Sequence, residues 1–488
     1  MRFIGGILAL ALFTGALATP KVTSLSERSL PANGRLIVHG DGFGKSGTLL
    51  IGNRGAIVTR WSDSAIHGYV PHQLTPGTAE VRVTNADGRS KPVRFEIAPR
   101  QFVDGSRVLW RFQTDRWMNR QFIEVDETRR VYTSDHTGLY ALSPSGDLLW
   151  FAPGSGGDLP IDSSSNGIVY SSVALSVGPE IIRAHDRDGN IIWTFTSPQP
   201  GRLFAGPNVG PDGNIYAVQE VRGGSGIGLF ALSPSGNLLW SNLGDPVLGT
   251  VDGDISINEI IFSEDRLYFS IIRQRSGGSG VTYSFDLVGN QQWHTGTGDL
   301  HLPFYRFPRL DPFGRVIGAR GQTGAMAINE DGSVAWQKFH PGSPNVIEMP
   351  AVDSFGNSYF HDWLGIEMWS LDPAGNTRWV TGFESNLFTI GVGISPDDQV
   401  LVHTGVEDFA AEGFIRGINP NNGAINWRLD FEPENGIHQR SNNLYPVFAH
   451  VKHLSRTGAR DQTPVYVTTL FSDVNAVTHG YLYAINYR

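Results

Sequence analysis

The sequence predicts an all-β protein: a small immunoglobulin-like β-sandwich followed by an eight-bladed β-propeller, with seven blades as the alternative. Three observations predict it. A hairpin-like segment ending in Trp recurs along the chain, the last copy lacks its Trp strand, and residues 20–98 alternate short apolar runs with turn residues. Repetition every 40 to 50 residues is typical of stacked or radial architectures. We therefore expect a leader at 1–18, a sandwich at 20–98 and a propeller at 99–488.

The N-terminus has the features of a secretory leader. Arg2 precedes an apolar run over 3–17, and Ala16-Leu17-Ala18 offers a small-residue cleavage site. The run is shorter than the roughly 20 residues that a membrane span needs, so we expect no membrane insertion. The chain contains no Cys that could carry a lipid, so it is not expected to be a lipoprotein. We expect cleavage after Ala18 and a secreted or periplasmic protein.

Composition narrows the classes of partner. The 59 Gly and 28 Pro fit a turn-rich β protein. The net charge of −9 argues against nucleic acid, which requires a concentrated basic surface. The expected partner is a protein or a carbohydrate.

The segment 20–98 carries specific strand and turn signals. Pro31 and Gly34 precede the first long apolar run, Gly40–Gly44 forms a Gly-x-Gly-Phe-Gly turn, Trp61–Pro71 follows, and Gly77–Val83 alternates apolar and polar residues. This pattern resembles the IPT/TIG family. The resemblance implies an immunoglobulin-like sandwich that acts as a spacer or interaction module.

The repeat is clearest in two nearly identical segments, Gly138–Trp150 and Gly228–Trp240. Each reads as an apolar strand, a Ser-Pro-Ser-Gly turn and a return strand, because Pro fixes φ and Gly accepts a positive φ. In seven copies a Gly lies four residues before the Trp. The large indole suits packing between neighbouring sheets. We assign this docking role to Trp110, Trp150, Trp193, Trp240, Trp293, Trp336, Trp379 and Trp427.

The number of units predicts how the ring closes. Eight second strands precede only seven complete hairpins, and the chain ends before an eighth Trp strand. Residues 107–110 supply a matching strand at the other end. Since the Trp residues from Trp110 to Trp427 lie 40 to 53 residues apart, each interval suits one four-stranded blade. We expect the N-terminal strand to complete the C-terminal blade and so remove the free edge.

The repeat resembles the PQQ-like β-propeller family, whose docking motif pairs Ala and Gly with Trp, here Ala141, Gly146 and Trp150. The quinone-dependent dehydrogenases of that family carry adjacent cysteines and an acidic Ca²⁺ cluster. This chain has no Cys and no clear match to the cluster. The resemblance therefore implies the non-catalytic branch, similar to the propeller scaffold of outer-membrane protein assembly, and no PQQ.

Charged and polar residues recur in the segments that lead into the first strand of each unit, where a propeller binds ligands at its channel mouth. Charges of both signs could clamp a polar or anionic ligand, or pair with one another. The residues are Arg202, Asp252, Asp254, His301, Arg306, Glu348, Glu384, Arg440 and Asn443. His301, Arg306 and Glu348 could also act as acid and base groups.

Acidic residues offer one candidate cation site. Asp245, Asp252 and Asp254 lie in a Gly-rich stretch and could provide oxygen ligands to Ca²⁺. Their spacing does not follow a twelve-residue Ca²⁺ loop, and short acidic loops are common.

Histidines offer weaker candidates. His450 and His453, near His438, could ligate a metal, but the neighbouring sequence offers no obvious third ligand. His67 and His72 lie near a turn and are expected to be solvated. No metal or other cofactor is expected from these groups.

These observations favour a secreted, non-catalytic binding or scaffold protein. The alternative is an extracytoplasmic enzyme, a lyase, hydrolase or transferase acting on a polar or polysaccharide substrate at the channel mouth. A PQQ- or Ca²⁺-dependent dehydrogenase ranks third.

Overall fold

The computed structural model divides into two units, residues 1–100 and residues 101–488. All regular secondary structure in its described part is β-strand. The described residues are 19–100, 107–115, 123–156, 160–173, 181–199, 201, 203–221, 226–243, 255–256, 260–273, 280–295, 308–320, 324–339, 347–362, 367–383, 388–406, 413–431, 439–441, 447–448, 464–472 and 478–488.

The first unit is a sandwich of two sheets. Its strands are β1 (Lys21–Leu25), β2 (Ser29–Pro31), β3 (Arg35–Asp41), β4 (Thr48–Ile51), β5 (Arg54–Gly55), β6 (Ile57–Trp61), β7 (Ala65–Tyr69), β8 (Gly77–Asn85), β9 (Gly88–Arg89) and β10 (Val93–Ala98). One sheet has the order β1-β3-β7-β6; the other has β2-β10-β8-β4-β5, with β9 on β8. Alternate residues of β3 and β8 face inward, so Leu36, Val38, Val81 and Val83 form the core with Phe95.

The second unit consists of short strands that pair mainly with their sequence neighbours. They are β11 (Val108–Gln113), β12 (Ile123–Val125), β13 (Val131–Asp135), β14 (Gly138–Leu142), β15 (Leu148–Pro153), β16 (Asp162–Ser163), β17 (Val169–Val173), β18 (Ile181–His185), β19 (Ile191–Thr196), β20 (Leu203–Val209), β21 (Ile215–Val221), β22 (Gly226–Leu232), β23 (Leu238–Ser241), β24 (Ile255–Ser256), β25 (Ile261–Phe262), β26 (Arg266–Arg273), β27 (Gly280–Asp286), β28 (Gln291–His294), β29 (Arg309–Leu310), β30 (Val316–Arg320), β31 (Gly324–Ile328), β32 (Val334–Phe339), β33 (Ile347–Val352), β34 (Ser358–Asp362), β35 (Glu367–Leu371), β36 (Thr377–Gly382), β37 (Phe388–Ile394), β38 (Leu401–Val406), β39 (Gly413–Ile418), β40 (Ile425–Asp430), β41 (Gln439–Ser441), β42 (Val447–Phe448), β43 (Val465–Ser472) and β44 (Thr478–Ile485).

The strands from β12 to β40 form seven antiparallel sheets, numbered one to seven in chain order. They are β12 to β15, β16 to β19, β20 to β23, β24 to β28, β29 to β32, β33 to β36 and β37 to β40. Sheet eight combines both ends of the unit, in the order β11-β44-β43-β41, with β42 on β43. In its ladder Trp110 lies opposite Ala484, and Arg111 lies opposite Tyr483.

Consecutive sheets stack face to face. The second and third strands are buried along their whole length in sheet one, whereas the fourth strands β19, β32 and β40 alternate between exposed and half-buried residues. Apolar clusters join neighbouring sheets: Tyr216 and Leu229 of sheet three pack with Leu267 and Phe285 of sheet four. Stacked four-stranded sheets of this kind are the blades of a β-propeller.

Each sheet has two structurally different ends. At the turn end, tight turns join the first strand to the second and the third to the fourth. In the turn at Ser143, Gly146 N–H donates to the Ser143 carbonyl at 2.9 Å and Gly146 has φ of 77°, a value that suits Gly. At the loop end, the second strand leads to the third, and the fourth leads to the next sheet.

Candidate functional site

The eight tryptophans lie at the turn end, between sheets. Seven of them lie against a glycine in the turn that joins the third and fourth strands of the following sheet. An added Cβ on Gly146 would lie 2.5 Å from the Trp110 ring, and one on Gly189 would lie 2.6 Å from the Trp150 ring. The other pairs are Trp193 with Gly236, Trp240 with Gly289, Trp293 with Gly332, Trp336 with Gly375 and Trp379 with Gly423.

Each indole N–H also donates to a backbone carbonyl of the following sheet. Trp150 Nε1 donates to the Arg187 carbonyl at 2.9 Å, and Trp427 Nε1 donates to the Tyr487 carbonyl at 3.0 Å. The other acceptors are the carbonyls of Pro144, Pro234, Leu287, Glu330, Pro373 and Pro420. At sheet eight a cation replaces the glycine, since the Arg107 guanidinium lies 4.4 Å from the Trp427 ring centroid.

Several of these carbonyls accept a second hydrogen bond. The Arg187 carbonyl accepts from Arg130 Nη1 at 2.6 Å, and those of Glu330 and Pro373 accept from Arg266 and Arg315 at 2.7 and 2.8 Å. The polar groups of these turns therefore hold neighbouring sheets together.

Buried tyrosines of the second strands add to this network. The hydroxyls of Tyr132 and Tyr359 donate to Asp126 and Asp353 at 2.8 Å. Burial, followed by the adjacent carboxylates, raises the pKa of both phenols. They are hydrogen-bond donors at neutral pH, not acid–base groups.

Polar side chains also link the first strands of sheets one to three. Glu124 of β12 accepts from Ser163 Oγ of β16 at 2.8 Å, and Asp162 of β16 accepts from Val209 N of β20 at 2.9 Å. Asn208 Oδ1 in turn accepts from Ile260 N at 3.3 Å. These carboxylates are almost completely buried and connect the sheets.

A second polar cluster lies between sheets six and seven. His403 of β38 and Arg416 of β39 are opposite each other in one ladder, and Arg416 Nε donates to His403 Nδ1 at 2.8 Å. The Arg416 guanidinium lies 3.7 Å from the Phe383 ring centroid and 4.9 Å from that of Phe414. His361 of β34 meets His403 edge to face, with centroids 5.4 Å apart. This set is called the His–Arg cluster.

The protonation state of His403 follows from its surroundings. Burial lowers its pKa well below 6.5, and the charge of Arg416 and the neighbouring His361 act in the same direction. The imidazole is therefore neutral. Because Nδ1 accepts from Arg416, the ring proton lies on Nε2. Within the described part of the chain, that buried N–H has no hydrogen-bond acceptor.

Most of the mouth residues predicted from the sequence lie outside the described residues: Arg202, His301, Arg306, Glu384 and Asn443. The same holds for the Ca²⁺ candidates Asp245, Asp252 and Asp254 and for the histidines His438, His450 and His453. Two mouth residues are described through their backbone: Glu348 lies opposite His361 in β33, and Arg440 lies opposite Leu470 in β41.

In the first unit, His67 Nδ1 lies 3.0 Å from Arg35 Nη2, and His72 is half-buried. Among the described residues there is no group of three or more His, Asp or Glu that could hold a metal ion. None of these residues belongs to a helix of the length and hydropathy that a membrane crossing requires.

The His–Arg cluster has no sequence motif of its own. His361, His403 and Arg416 each follow two apolar or aromatic residues in their strands, as in Leu401-Val402-His403. The sequence does show polar residues at positions that strand alternation places inside the protein. It does not show which of these residues meet across two sheets.

Comparison with curated proteins gives no match. Among solved structures the chain is similar to BamB from Moraxella catarrhalis, at 10% identity over 78% of this chain and 99% of that one, with a TM-score of 0.47. It is also similar to the Dos1 propeller, at 11% identity over 77% and 95%, with a TM-score of 0.48. A third is a catalytically inactive virginiamycin B lyase from Staphylococcus aureus with quinupristin, at 12% identity over 61% and 96%, with a TM-score of 0.42.

The family comparison concerns the first unit. Residues 20–97 match the IPT/TIG domain family, in agreement with the resemblance of the turn at Gly40–Gly44 and the strand at Gly77–Val83. Residues 20–97 are therefore an IPT/TIG domain.

Proposed function

We propose that this chain is a secreted or periplasmic, non-catalytic scaffold whose propeller presents its loop end to a protein or glycan partner. The observation that carries the proposal is that hydrogen-bonded polar groups at the turn end of the second unit join one sheet to the next. At the turn end and along the first strands, indoles, carboxylates and guanidinium groups bind neighbouring sheets. This holds the loop end on a rigid frame, and the IPT/TIG domain serves as spacer or second contact.

We further propose that the second unit is a closed, eight-bladed, PQQ-like propeller. Two contacts support closure: β11 pairs with β44 in sheet eight, and Trp110 of that sheet donates to the Pro144 carbonyl of sheet one. The motif of Ala141, Gly146 and Trp150 supports the family assignment.

Closure can be tested with a disulfide, since the chain has no Cys. Gln113 lies opposite Tyr481 across the proposed closure. In the double variant Gln113→Cys, Tyr481→Cys, oxidation should consume both thiols and raise the melting temperature above that of the reduced protein. The two single variants are the controls. Two thiols that stay free under oxidant in the folded double variant would overturn closure.

The presenting face can be tested by site-specific photocrosslinking in cells. If the partner is a protein, a crosslinking residue at position 306, in the connection between sheets four and five, should give one discrete crosslinked product. If the partner is a glycan, the purified chain should bind a defined glycan on an array. The matched control is position 313, where Phe313 is 62% exposed in a turn. Products from position 313 alone would contradict the proposed face.

Native mass spectrometry with metal analysis distinguishes this proposal from the alternatives. A bound quinone or a stoichiometric metal would support a dehydrogenase or a Ca²⁺ site at Asp245, Asp252 and Asp254 instead. Signal-peptide cleavage after Ala18 and the secreted or periplasmic location are tested by N-terminal sequencing of fractionated cells.

A second candidate, an extracytoplasmic enzyme acting on a polar or polysaccharide substrate, is favoured by one observation. The His–Arg cluster lies beside β33, where Glu348 is opposite His361. Turnover of an oligosaccharide that a Glu348→Gln variant abolishes without loss of folding would favour the enzyme.

A further inference from the structure

We propose that the contact between sheets one and two at the turn end is a pH-sensitive switch, in which protonation of His185 releases Trp150 from the turn of sheet two. This contact, formed by Trp150, His185, Arg187 and Gly189, is called the Trp150 joint. The switch goes beyond the proposed scaffold function, because a partner at the loop end does not require it.

The first argument is the position of His185 in the repeat. In each of the eight sheets, the third-strand residue that follows the one opposite the docking Trp is completely buried. In seven sheets it is apolar: Leu142, Leu232, Phe285, Ile328, Leu371, Ile418 and Ile485. Among these described positions, His185 of sheet two is the only ionisable residue. An acid response from this position is therefore confined to the Trp150 joint.

The second argument is the contact between His185 and the docking Trp. The two rings are stacked at 25°, with centroids 6.1 Å apart. Trp150 also lies against Gly189 and donates to the Arg187 carbonyl at 2.9 Å, and both of these residues belong to the turn that follows His185. A displaced imidazole would therefore remove part of the packing of the indole where sheet one meets sheet two.

The third argument is that this site suits the neutral imidazole better than the charged one. Nδ1 lies 3.5 Å from the Gly189 carbonyl oxygen, and Nε2 lies 3.5 Å from Ser171 Oγ. Both distances exceed the roughly 2.7–3.2 Å of a good N–H···O hydrogen bond. A buried imidazolium would lose its hydration without gaining two good acceptors. Burial accordingly lowers the pKa of His185 to about 4.

Within its own hairpin, His185 faces two charges of opposite sign. Arg183 lowers the pKa of the imidazole and Asp186 raises it, and both effects are smaller than that of burial. The Asp186 carboxylate already accepts from the Asn190 side chain at 2.9 Å and from two backbone N–H groups of its turn. These two charges therefore do not overcome the preference for a neutral ring.

From the neighbouring elements, the groups that meet the imidazole are neutral. They are the Ser171 hydroxyl of β17 and the Trp150 ring of sheet one. Next to Trp150 lies Tyr132, whose phenol is neutral because burial raises its pKa. Arg130 of sheet one donates to the Arg187 carbonyl at 2.6 Å and adds a positive charge to the joint. Protonation therefore favours displacement of the ring toward water.

The switch can be tested by thiol labelling of the full mature chain, since the chain has no Cys. Val169 is completely buried, lies opposite His185 and packs with Trp150 in one apolar cluster, so release of the indole should expose it. The matched control is Val316, which is equally buried and lies opposite Ile328 of sheet five. The probe is 4,4′-dithiodipyridine, and each rate is divided by that of a short cysteine peptide at the same pH.

Between pH 7 and pH 5, the normalised labelling rate of Val169→Cys should rise about 20-fold. The reason is that the imidazole has a pKa near 6.5 in the open joint and about 4 in the closed joint. The rate of Val316→Cys should change little over the same range. The rise should disappear when His185→Leu is added to Val169→Cys, because Leu is the residue at this position in sheets one, three and six.

Equal rises in Val169→Cys and Val316→Cys would overturn the proposal, because the whole unit would then loosen in acid. A rate that does not change with pH at either position would overturn it as well. So would a rise that persists after His185→Leu, since another group would then bind the proton. If His185→Leu fails to fold, His185→Phe serves the same purpose, because Phe285 occupies this position in sheet four.

Discussion

The turn end and the loop end of the second unit satisfy their polar groups in different ways. At the turn end the donors and acceptors recur from sheet to sheet, as when Trp150 and Arg130 both donate to the Arg187 carbonyl. Toward the loop end, the His–Arg cluster occurs once among the described residues and joins the Arg416–His403 pair to His361 of the neighbouring sheet. The repeated end stabilises the unit, and the unrepeated end is free to carry specificity.

This difference parallels the general division between scaffold and functional loops. A repeat must preserve every contact that one sheet makes with the next, so its turn residues recur in sequence. Side chains that serve a partner or ligand need appear in one or two sheets only. Changes in the repeated contacts of the turn end should therefore reduce stability, whereas changes in the exposed connections at the loop end should alter binding.

The largest expected effect is the loss of a docking indole. Trp379 is 9% exposed, packs against Gly423 and donates to the Pro420 carbonyl at 2.9 Å. Trp379→Ala should reduce the free energy of unfolding by about 3–5 kcal/mol, from lost burial and a cavity. Trp379→Phe keeps most of the apolar area and should cost less. Urea denaturation measures both, and equal losses would show that the indole contributes mainly through its hydrogen bond.

The next largest effect is expected for a glycine in contact with a docking indole, compared with a glycine of the same backbone conformation that has no such contact. Gly146 and Gly213 have φ of 77° and 79°, but an added Cβ meets the Trp110 ring at Gly146 and nothing within 4 Å at Gly213. Gly213→Ala should cost about 1 kcal/mol from the left-handed backbone alone. Gly146→Ala should cost about 2–3 kcal/mol, because the overpacked ring must move. Equal melting-temperature losses in the two variants would contradict tight docking of Trp110.

The loss of stability in acid should depend on two buried histidines, His185 at the turn end and His403 toward the loop end. Burial lowers the pKa of His185, at the turn end, to about 4. In the unfolded chain this imidazole binds its proton with a pKa near 6.5. The contribution of His185 to the free energy of unfolding is therefore complete above pH 6.5 and is lost as the pH falls from 6.5 toward 4. His185 should account for about 3 kcal/mol of that loss by pH 4.

The measurement is the free energy of unfolding at pH 7, 5.5 and 4.5 for the natural chain and for His185→Leu, which should show a shallower pH slope. His403 should contribute in the same direction, since its pKa is also lowered. Identical slopes in the natural chain and His185→Leu would show that His185 is not kept neutral by burial.

The same comparison explains what the sequence could predict. The Gly–Trp spacing identifies the residues of the turn end because the contact recurs. It does not show that Trp150, which lies opposite Ala141 in its own hairpin, packs on Gly189 of the next sheet and not on Gly146. His403 and Arg416 could not be found this way. They pair within one sheet, and His403 also meets His361 of the neighbouring sheet, at positions that alternation assigns to apolar side chains.

The smallest predicted effect concerns one hydroxyl of the turn-end network. Tyr359 donates to Asp353 at 2.8 Å, whereas the buried Tyr170 hydroxyl has no hydrogen-bond partner in the described part of the chain. Tyr359→Phe should cost about 1 kcal/mol, because it leaves a buried carboxylate oxygen with one donor fewer. Tyr170→Phe should be neutral or slightly stabilising, since it removes a desolvated group. Urea denaturation of both variants measures the difference in the free energy of unfolding. A larger loss of this free energy for Tyr170→Phe than for Tyr359→Phe would mean that ring packing, not the bond to Asp353, determines the contribution of these tyrosines.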